Sequence, residues 1–531
     1  MENKKISYLV PLLIAFSMAI GLFLGNFFNS KNGYKGISGS NGQEKYQKIQ
    51  DIIDILDNRY VDSLNSEKLF EETISDMLHK LDPHSNYIPA KELKAMNESI
   101  QGEFGGIGVR FFVIRDTICV THVIKNSPSE KVGIKAGDKF IKISGQTVAG
   151  KKISNDKIMS MLKGIANTTV SVQILRNGHI IPKQITRGTI PISSILCANM
   201  INSSTGYIKI EQFSVTTTKE FREVAEILKS KGMKSLILDL RNNGGGVLTS
   251  ATDIVDDFLK GGLPIVMTKG EHSESQTYKS KAGGFLESIK LAVLINANSA
   301  SASEIVAGAI QDNDRGIIIG RRSFGKGLVQ QDLELRDGSN LRLTIARYYT
   351  PTGRCIQKSY KNSIEEYYQD QYDRLDNGEL YHPDTTLFVD SLKFKTPKGK
   401  TVYGGGGIMP DIFVPFDSSG MSLYYSELRY SSAFQSFAFD YVSDKRTKWK
   451  SAEQFNSSFK ITDDLLSKFT LYAEKQEKVK QDLNGLKMSK RLILQTLKAE
   501  IARQLWEEQG YFIIINSHDS EVQKAIKVLN N

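Results

Sequence analysis

The apolar positions of the chain change period three times, and each change marks a different kind of element. Across residues 44–99 the spacing is helical: Ile49, Ile52, Ile53, Ile55 and Leu56 fall mostly on one face, and Leu69, Phe70, Ile74, Met77 and Leu78 repeat it. Leu81-Asp82-Pro83-His84-Ser85 breaks that pattern as a turn. Residues 102–188 alternate as strands do, with glycine-rich turns at 105–108 and 137–145, one helix at 154–162 and a last strand at 170–175. Residues 206–357 mix both periods. Strands at 206–210, 236–240, 265–268, 291–295 and 316–319 interleave with helices at 218–229 and 247–259 and a small-residue helix after 301, and a hairpin at 329–349 turns on Asp337-Gly338. This order predicts an α/β region with a largely parallel sheet. Residues 358–400 are polar, rich in Tyr and Asp, and read as an insertion, whereas from about 417 the chain is amphipathic and helical, most clearly at 488–509.

The N-terminus is apolar in another way. After Lys4 and Lys5 no charged side chain occurs over residues 6–30, and 8–28 is long enough to cross a bilayer as a helix, with the lysines favouring an inside N-terminus. No small-x-small cleavage site follows, which favours a retained signal anchor over a removed signal peptide. The expected organisation is an anchor at 1–30, a Gly/Ser/Asn-rich tether at 31–43, a helical module at 44–99, a strand-rich domain at 100–188, an α/β core at 189–416 and a helical region at 417–531. The net charge of +10 is spread along the chain with no nucleic-acid module beside it, so a basic surface is expected rather than a nucleic-acid partner. Cys119, Cys197 and Cys355 form no metal spacing, there is no HExxH, and His79 and His84 read as surface or packing residues; neither metal nor other cofactor is expected.

Candidate chemistry gathers in residues 296–330. Ser299, Ser301 and Ser303 lie between an apolar strand and a small-residue helix, and Lys326 lies between Gly325 and Gly327 beyond the next strand. Reactive groups of α/β units collect at such strand ends. A serine hydroxyl needs a base, and the only histidine in 206–357, His272, sits in a polar stretch away from the strand ends. A lysine can serve if burial or a positive field lowers its pKa from roughly 10.4. Gly245, in the turn Arg241-Asn242-Asn243-Gly244-Gly245-Gly246, and Ala302, at a helix start, offer backbone N–H groups to a developing oxyanion. Two other readings compete. Serines at a helix start are commonly N-caps, and composition alone favours that role here. Residues 320–326 also fit G-x-x-x-x-G-K, with Leu236-Ile237-Leu238-Asp239 as the apolar strand and acid of a nucleotide hydrolase. Gly327, however, replaces the magnesium-binding hydroxyl, and strand-like residues follow where a helix is needed.

Gly105-Gly106-Ile107-Gly108, the strands after it, the 137–145 turn and the helix at 154–162 together resemble a PDZ domain, which pairs a peptide with a strand edge and receives its carboxylate on backbone N–H groups, here those of Gly106, Ile107 and Gly108. Adding the motifs at 81–85, 239–246, 299–304, 324–330, 349–354 and 407–411, residues 44–415 resemble the C-terminal processing (tail-specific) peptidases. That resemblance implies an α/β core of crotonase/Clp-like type with an embedded PDZ domain, an N-terminal helical module and a C-terminal helical extension. It implies a serine endopeptidase with Ser301 as nucleophile, chosen from its serine neighbours by register alone, and Lys326 as general base. Gln330 would orient the lysine, Asp312 would support it, and Gly245 and Ala302 would hold the oxyanion. No cofactor is implied. The implied partners are protein substrates held by their C-termini, the membrane through the anchor, and further copies of the chain through its helical regions, with the catalytic part on the periplasmic side of a bacterial inner membrane. Gly244 stands where many members carry proline, and the 358–400 insertion and the tail fall outside the common core. A rival of another class is an inactive membrane-anchored PDZ scaffold; the joint presence of Ser301, Lys326 and Gln330 argues against it.

Overall fold

The computed structural model describes residues 40–361, 363–384, 386 and 389–531. The expected membrane segment at 8–28 lies outside them, and among the described residues no helix is long and apolar enough to cross a membrane. The chain forms two compact units, residues 1–77 and 78–531. The described part of the first is helical, as its apolar spacing requires: Ser40–Arg59 is followed by a helix beginning at Ser66, whose hydroxyl donates to the Asp57 carboxylate.

The second unit is built on a sheet of six strands in the order β1 (Ile195–Met200), β2 (Thr205–Ile210), β3 (Ser235–Asp239), β4 (Lys290–Ile295), β5 (Ile317–Gly320) and β6 (Ile412–Phe413). All pairs are parallel except β1 with β2. β2 and β3 are buried along their whole length, because helices cover both faces and successive side chains point to opposite ones. Ile208, Leu236, Leu238 and Val293 pack under α1 (Thr217–Ser230), α2 (Leu248–Asp256) and α3 (Ala302–Asp312), through Phe221, Ile254, Val255 and Val306. Tyr207, Ile237, Ala292 and Leu294 face the opposite layer, where the C-terminal residues Ile513, Val522, Ala525 and Leu529 cover them. The helical tail therefore covers one of the two faces of the sheet.

A second sheet flanks the first. The hairpin of Leu328–Glu334 and Asn340–Tyr349 closes around Asp337-Gly338 as expected, and Pro264–Lys269 and Asn86–Ile88 add to Asn340–Tyr349. The last of these departs from the sequence reading. Residues 86–88 leave the helical pattern to pair with Asn340, Leu341 and Arg342, and the helix Ala90–Gln101 that follows borders the cleft described below.

Residues 103–191 form the embedded domain. Glu103–Gly106 pairs with Gly188–Pro191 at its entrance and exit, and five strands with a sixth, two-residue strand (Gln146–Thr147) wrap Ile118, Val120, Phe140, Ile143 and Ile174 against the helix Asn155–Leu162. Val109–Ile114 ends this sheet and leaves one strand edge unpaired within it. Its outer face meets the C-terminal region: Phe439 packs on Ile114 and Cys119, Arg115 grips Asp440 with both bonds at 2.9 Å, and Arg110 reaches Glu507 at 2.7 Å.

Candidate active site

Three loops leave the carboxyl ends of adjacent parallel strands β3, β4 and β5 and converge. The loop after β4 carries the serines, and they are not equivalent. Ser299 is buried and donates to the Leu240 carbonyl at 2.9 Å, and Ser303 is buried and donates to the Asn243 carbonyl at 2.9 Å. Ser301 is part-exposed and lines the cleft. Its backbone sits at φ 55°, ψ −114°, a conformation that a residue bearing a Cβ occupies at a cost of about 1–3 kcal/mol and that persists only when the surroundings enforce it. Glu304, one turn into α3, enforces it by accepting the Ser301 N–H at 2.9 Å.

The loop after β5 has no regular structure from Arg321 to Gly327, yet its backbone groups find partners. The buried Glu304 carboxylate accepts from the Ser323 hydroxyl at 2.6 Å, Gly325 N–H at 2.7 Å and Lys326 N–H at 2.9 Å, so a single side chain ties the serine turn to the lysine loop. Burial pushes this carboxyl up and its donors pull it back. Four hydrogen bonds received on two oxygens fit the carboxylate, because the acid would have to donate one of them away. Tyr348, also buried, approaches the Lys326 carbonyl at 2.5 Å and the Ser301 carbonyl at 3.1 Å with its one hydroxyl, a second link between the two residues.

Lys326 Nζ donates to Gln330 Oε1 at 2.9 Å, and Gln330 Nε2 donates in turn to the His84 carbonyl. The 81–85 turn that presents this carbonyl is tied down by Asp82, which accepts from His84 N–H, Ser85 N–H, the Ser85 hydroxyl and the Thr344 hydroxyl. The His84 ring packs on Phe324 and Tyr367, and burial holds its pKa down to about 3, so it stays neutral. Burial, helped by the nearby Arg342, also draws Lys326 down to about 8, against the opposing pull of Glu304 and Asp82. At neutral pH about a tenth of such amines carry a free lone pair.

The glycine turn after β3 closes the third side. A Cβ on Gly245 would come within 2.9 Å of Ala302 N and 2.8 Å of Ser301 Cβ, so only glycine fits against the serine turn. Among the described residues no acceptor takes the Ala302 N–H, as expected for the first residue of a helix. Gly245 departs from expectation: its N–H is donated to Asn243 Oδ1 at 2.8 Å, because the Asn243 amide is itself anchored on the Ile210 carbonyl. Ser301, Ala302, Lys326, Gln330, Gly244 and Gly246 share one cleft of about 460 Å³, whose other walls include Met96, Ile100 and the ion pair Arg342–Asp332 at 2.7 Å.

Asp312 is not in this cleft. It ends α3, roughly 16 Å along the axis from the serine turn. There it is fully buried in an ion pair with Arg354 at 2.7 Å and accepts the Thr352 hydroxyl at 2.7 Å, which pins the 349–354 turn to the helix. Asp239 is likewise structural, gripped by Arg241 and Tyr207, and a strand rather than a helix follows Lys326, so no phosphate-binding loop forms. Gly106, Ile107 and Gly108 are buried at the start of the edge strand, with the carbonyls of Ile107 and Gly108 accepting from Ser129 and Ile124. Among the described residues no cluster of His, Cys, Asp and Glu could hold a metal ion.

The family of peptidases S41 matches residues 204–365, a PDZ domain matches 105–184, and the N-terminal domain of the activating protease CtpB matches 27–92. A family of unknown function matches 424–507. A carboxy-terminal-processing protease of Bartonella bacilliformis is 38% identical over 306 residues, 56% of this chain and 69% of that protein. The chain belongs to the carboxy-terminal-processing protease family. A probable CtpA-like serine protease of Staphylococcus haemolyticus is 29% identical over 431 residues, covering 77% and 82% of the two chains. CtpB of Bacillus subtilis is 33% identical over 306 residues, covering 57% and 63%. The solved structure of a photosystem II D1 C-terminal processing protease overlaps with a TM-score of 0.35 at 24% identity, over 70% of this chain and 92% of that one.

In this serine peptidase the sequence reading assigned no role to Glu304 or Tyr348, and it took 81–85 as a turn and a motif without seeing that its His84 carbonyl holds Gln330. Glu304 had a signal, since Ser301-Ala302-Ser303-Glu304 has the spacing of a capping box. Tyr348 had none, because only the fold brings the end of a hairpin strand beneath both loops.

Proposed function

We propose that the chain is a serine endopeptidase acting through a Ser301–Lys326 dyad. One observation carries this reading: Lys326, drawn down to about 8, is held by Gln330 in the same cleft as the only one of the three clustered serines whose hydroxyl is not committed to a backbone carbonyl. Neutral Lys326 takes the Ser301 proton as the serine oxygen attacks the substrate carbonyl. Ala302 N–H receives the oxyanion, and Gly245 N–H becomes the second donor when Asn243 releases it. The lysine then passes its proton to the leaving amine, and water, deprotonated by the same lysine, frees the acyl group. Gln330 keeps Nζ in place throughout; Asp312 supports the site only through the far end of α3. Purified protein carrying Lys326→Ala should lose β-casein cleavage by about 10²–10⁴-fold; undiminished cleavage contradicts the dyad.

Because the base works unprotonated, kcat/KM should rise tenfold per pH unit below about 7 and level off above about 8, where Lys326 titrates. At pH 6 it should lie about a hundredfold below the plateau. Initial-rate measurements from pH 5.5 to 9.5 check this, and a flat profile would remove lysine as the base.

Residues 100–188 act as the PDZ domain, capturing substrate C-termini on the free edge of Val109–Ile114 with the carboxylate toward the 106–108 loop. Residues 189–416 are the peptidase core, and 417–531 buttress both. The apolar run at 8–28 anchors the chain, with the catalytic part outside the cytoplasm. Deleting residues 1–30 should move the protein from the membrane pellet to the soluble fraction with cleavage activity intact; a truncated protein that still pellets with membranes contradicts the anchor.

A further inference from the structure

Helix α4 (Ile364–Asp376) lies in the 358–400 insertion, and the match to peptidase family S41 ends at residue 365, so its later turns lie beyond the shared segment. They nevertheless reach the lysine loop. We propose that the insertion is a working part of the catalytic apparatus, with Arg374 as the positioning residue that fixes the loop carrying Lys326; this rests on the dyad reading above.

The irregular segment 321–327 must satisfy its backbone from outside. Glu304 serves the N–H groups of Gly325 and Lys326, while those of Ser323, Phe324 and Gly327 go to the Ile408 carbonyl, the Ser299 carbonyl and Gln357 Oε1. Three successive carbonyls of the segment are served by the insertion: Arg374 donates Nη1 to the Ser323 carbonyl at 2.9 Å and Nη2 to the Phe324 carbonyl at 3.2 Å, and Lys358 N–H donates to the Gly325 carbonyl at 3.0 Å. Arg374 is 3% exposed and its own position is set by Asp370 at 3.0 Å. The Phe324 ring is enclosed by Tyr367, His84 and the Lys358 ammonium, which lies 4.4 Å from its centroid.

The same helix secures the other side of the lysine. Tyr368 donates to the Pro83 carbonyl at 2.8 Å, and the His84 ring meets the Tyr367 hydroxyl at 2.8 Å; His84 is the residue whose carbonyl holds Gln330. Helix α4 thus braces both the backbone leading into Lys326 and the partner that aims its Nζ. A guanidinium can span two neighbouring carbonyls, whereas a lysine ammonium is a single point charge. Displacement of a reacting group by about 1 Å can cost roughly a hundredfold in rate.

The test uses the full chain with Arg374→Lys, Arg374→Met and, as a control on the exposed side of the same helix, Tyr372→Ala. For each, kcat and KM on β-casein are followed across pH, beside the melting temperature. Arg374→Lys keeps a cation for Asp370, so it remains informative if Arg374→Met fails to fold. Expected are a kcat at least about tenfold lower for Arg374→Lys with KM within about twofold of wild type, and a rise in rate centred above pH 8 because the loosened lysine is less buried. Tyr372→Ala should match the wild type. A lowered melting temperature with wild-type kcat and an unmoved pH midpoint would reduce Arg374 to a structural residue and overturn the proposal. If Lys326→Ala abolishes cleavage while Arg374→Lys behaves as wild type, only this inference fails. If Lys326→Ala cleaves normally, the dyad itself fails.

Discussion

Ser301→Ala is expected to leave less than roughly a thousandth of wild-type turnover, and Ser301→Gly the same residual activity with a higher melting temperature. The two outcomes separate a nucleophile from a cap. An N-cap serine contributes about 1 kcal/mol to stability, so its loss would lower the melting temperature and spare the activity. Here the backbone at φ 55°, ψ −114° is strained for any residue with a Cβ. Alanine keeps that strain and loses the hydroxyl. Glycine removes the strain, worth about 1–3 kcal/mol, at an unfolded-state entropy cost of about 0.5–1 kcal/mol. The expected stability order is therefore Gly above Ser, with Ser close to Ala, and thermal melts of the three proteins read it directly. A glycine variant that melts lower than wild type would mean that the serine turn stores no strain.

Glu304→Gln should be damaging on two counts. The carboxylate accepts from two donors on each oxygen, and an amide presents N–H groups on one side. If the amide nitrogen takes the Oε2 place, the N–H groups of Ser301 and Lys326 lose their acceptor; if it takes the Oε1 place, Gly325 N–H does. Each orphaned buried donor costs about 1–3 kcal/mol. Loss of alignment between serine turn and lysine loop should lower kcat by about a hundredfold or more. The pH midpoint should move the opposite way from that of an Arg374 variant. The Glu304 charge raises the Lys326 pKa, so removing it lets the lysine fall below about 8 and shifts the rise in rate toward acid. A Glu304→Gln enzyme of normal turnover and unmoved midpoint would deny Glu304 any part in joining the loops.

Much of the core was legible because its strands are buried on both faces and read as continuous apolar runs, as at 236–240 and 291–295. The 328–349 hairpin was legible from Asp337-Gly338 and the alternation around it. What escaped were elements whose pattern is set by neighbours. Ile412–Phe413 is a two-residue strand recruited by β5, too short to show a period. Helix α4 looks like polar filler because the residues that touch the rest of the protein are Tyr367, Asp370 and Arg374, with the half-exposed Tyr368, and they meet carbonyls, cations and rings rather than aliphatic core. Sequence placed a serine and Lys326 together at the strand ends, but chose Ser301 only through resemblance, since Ser299, Ser301 and Ser303 are alike as letters. Burial and the bonds of the outer two distinguish them. The Gly245 N–H illustrates the converse: spacing assigned it to the oxyanion, but a side chain two residues earlier occupies it.

The most direct measurement is the rate at which a fluorophosphonate modifies the enzyme as pH is raised, with the modified residue located by peptide mass spectrometry. The dyad predicts label on Ser301, a rate climbing tenfold per pH unit until it levels near pH 8, and no label in Lys326→Ala. Label on Ser299 or Ser303, or an equal rate in Lys326→Ala, would contradict it.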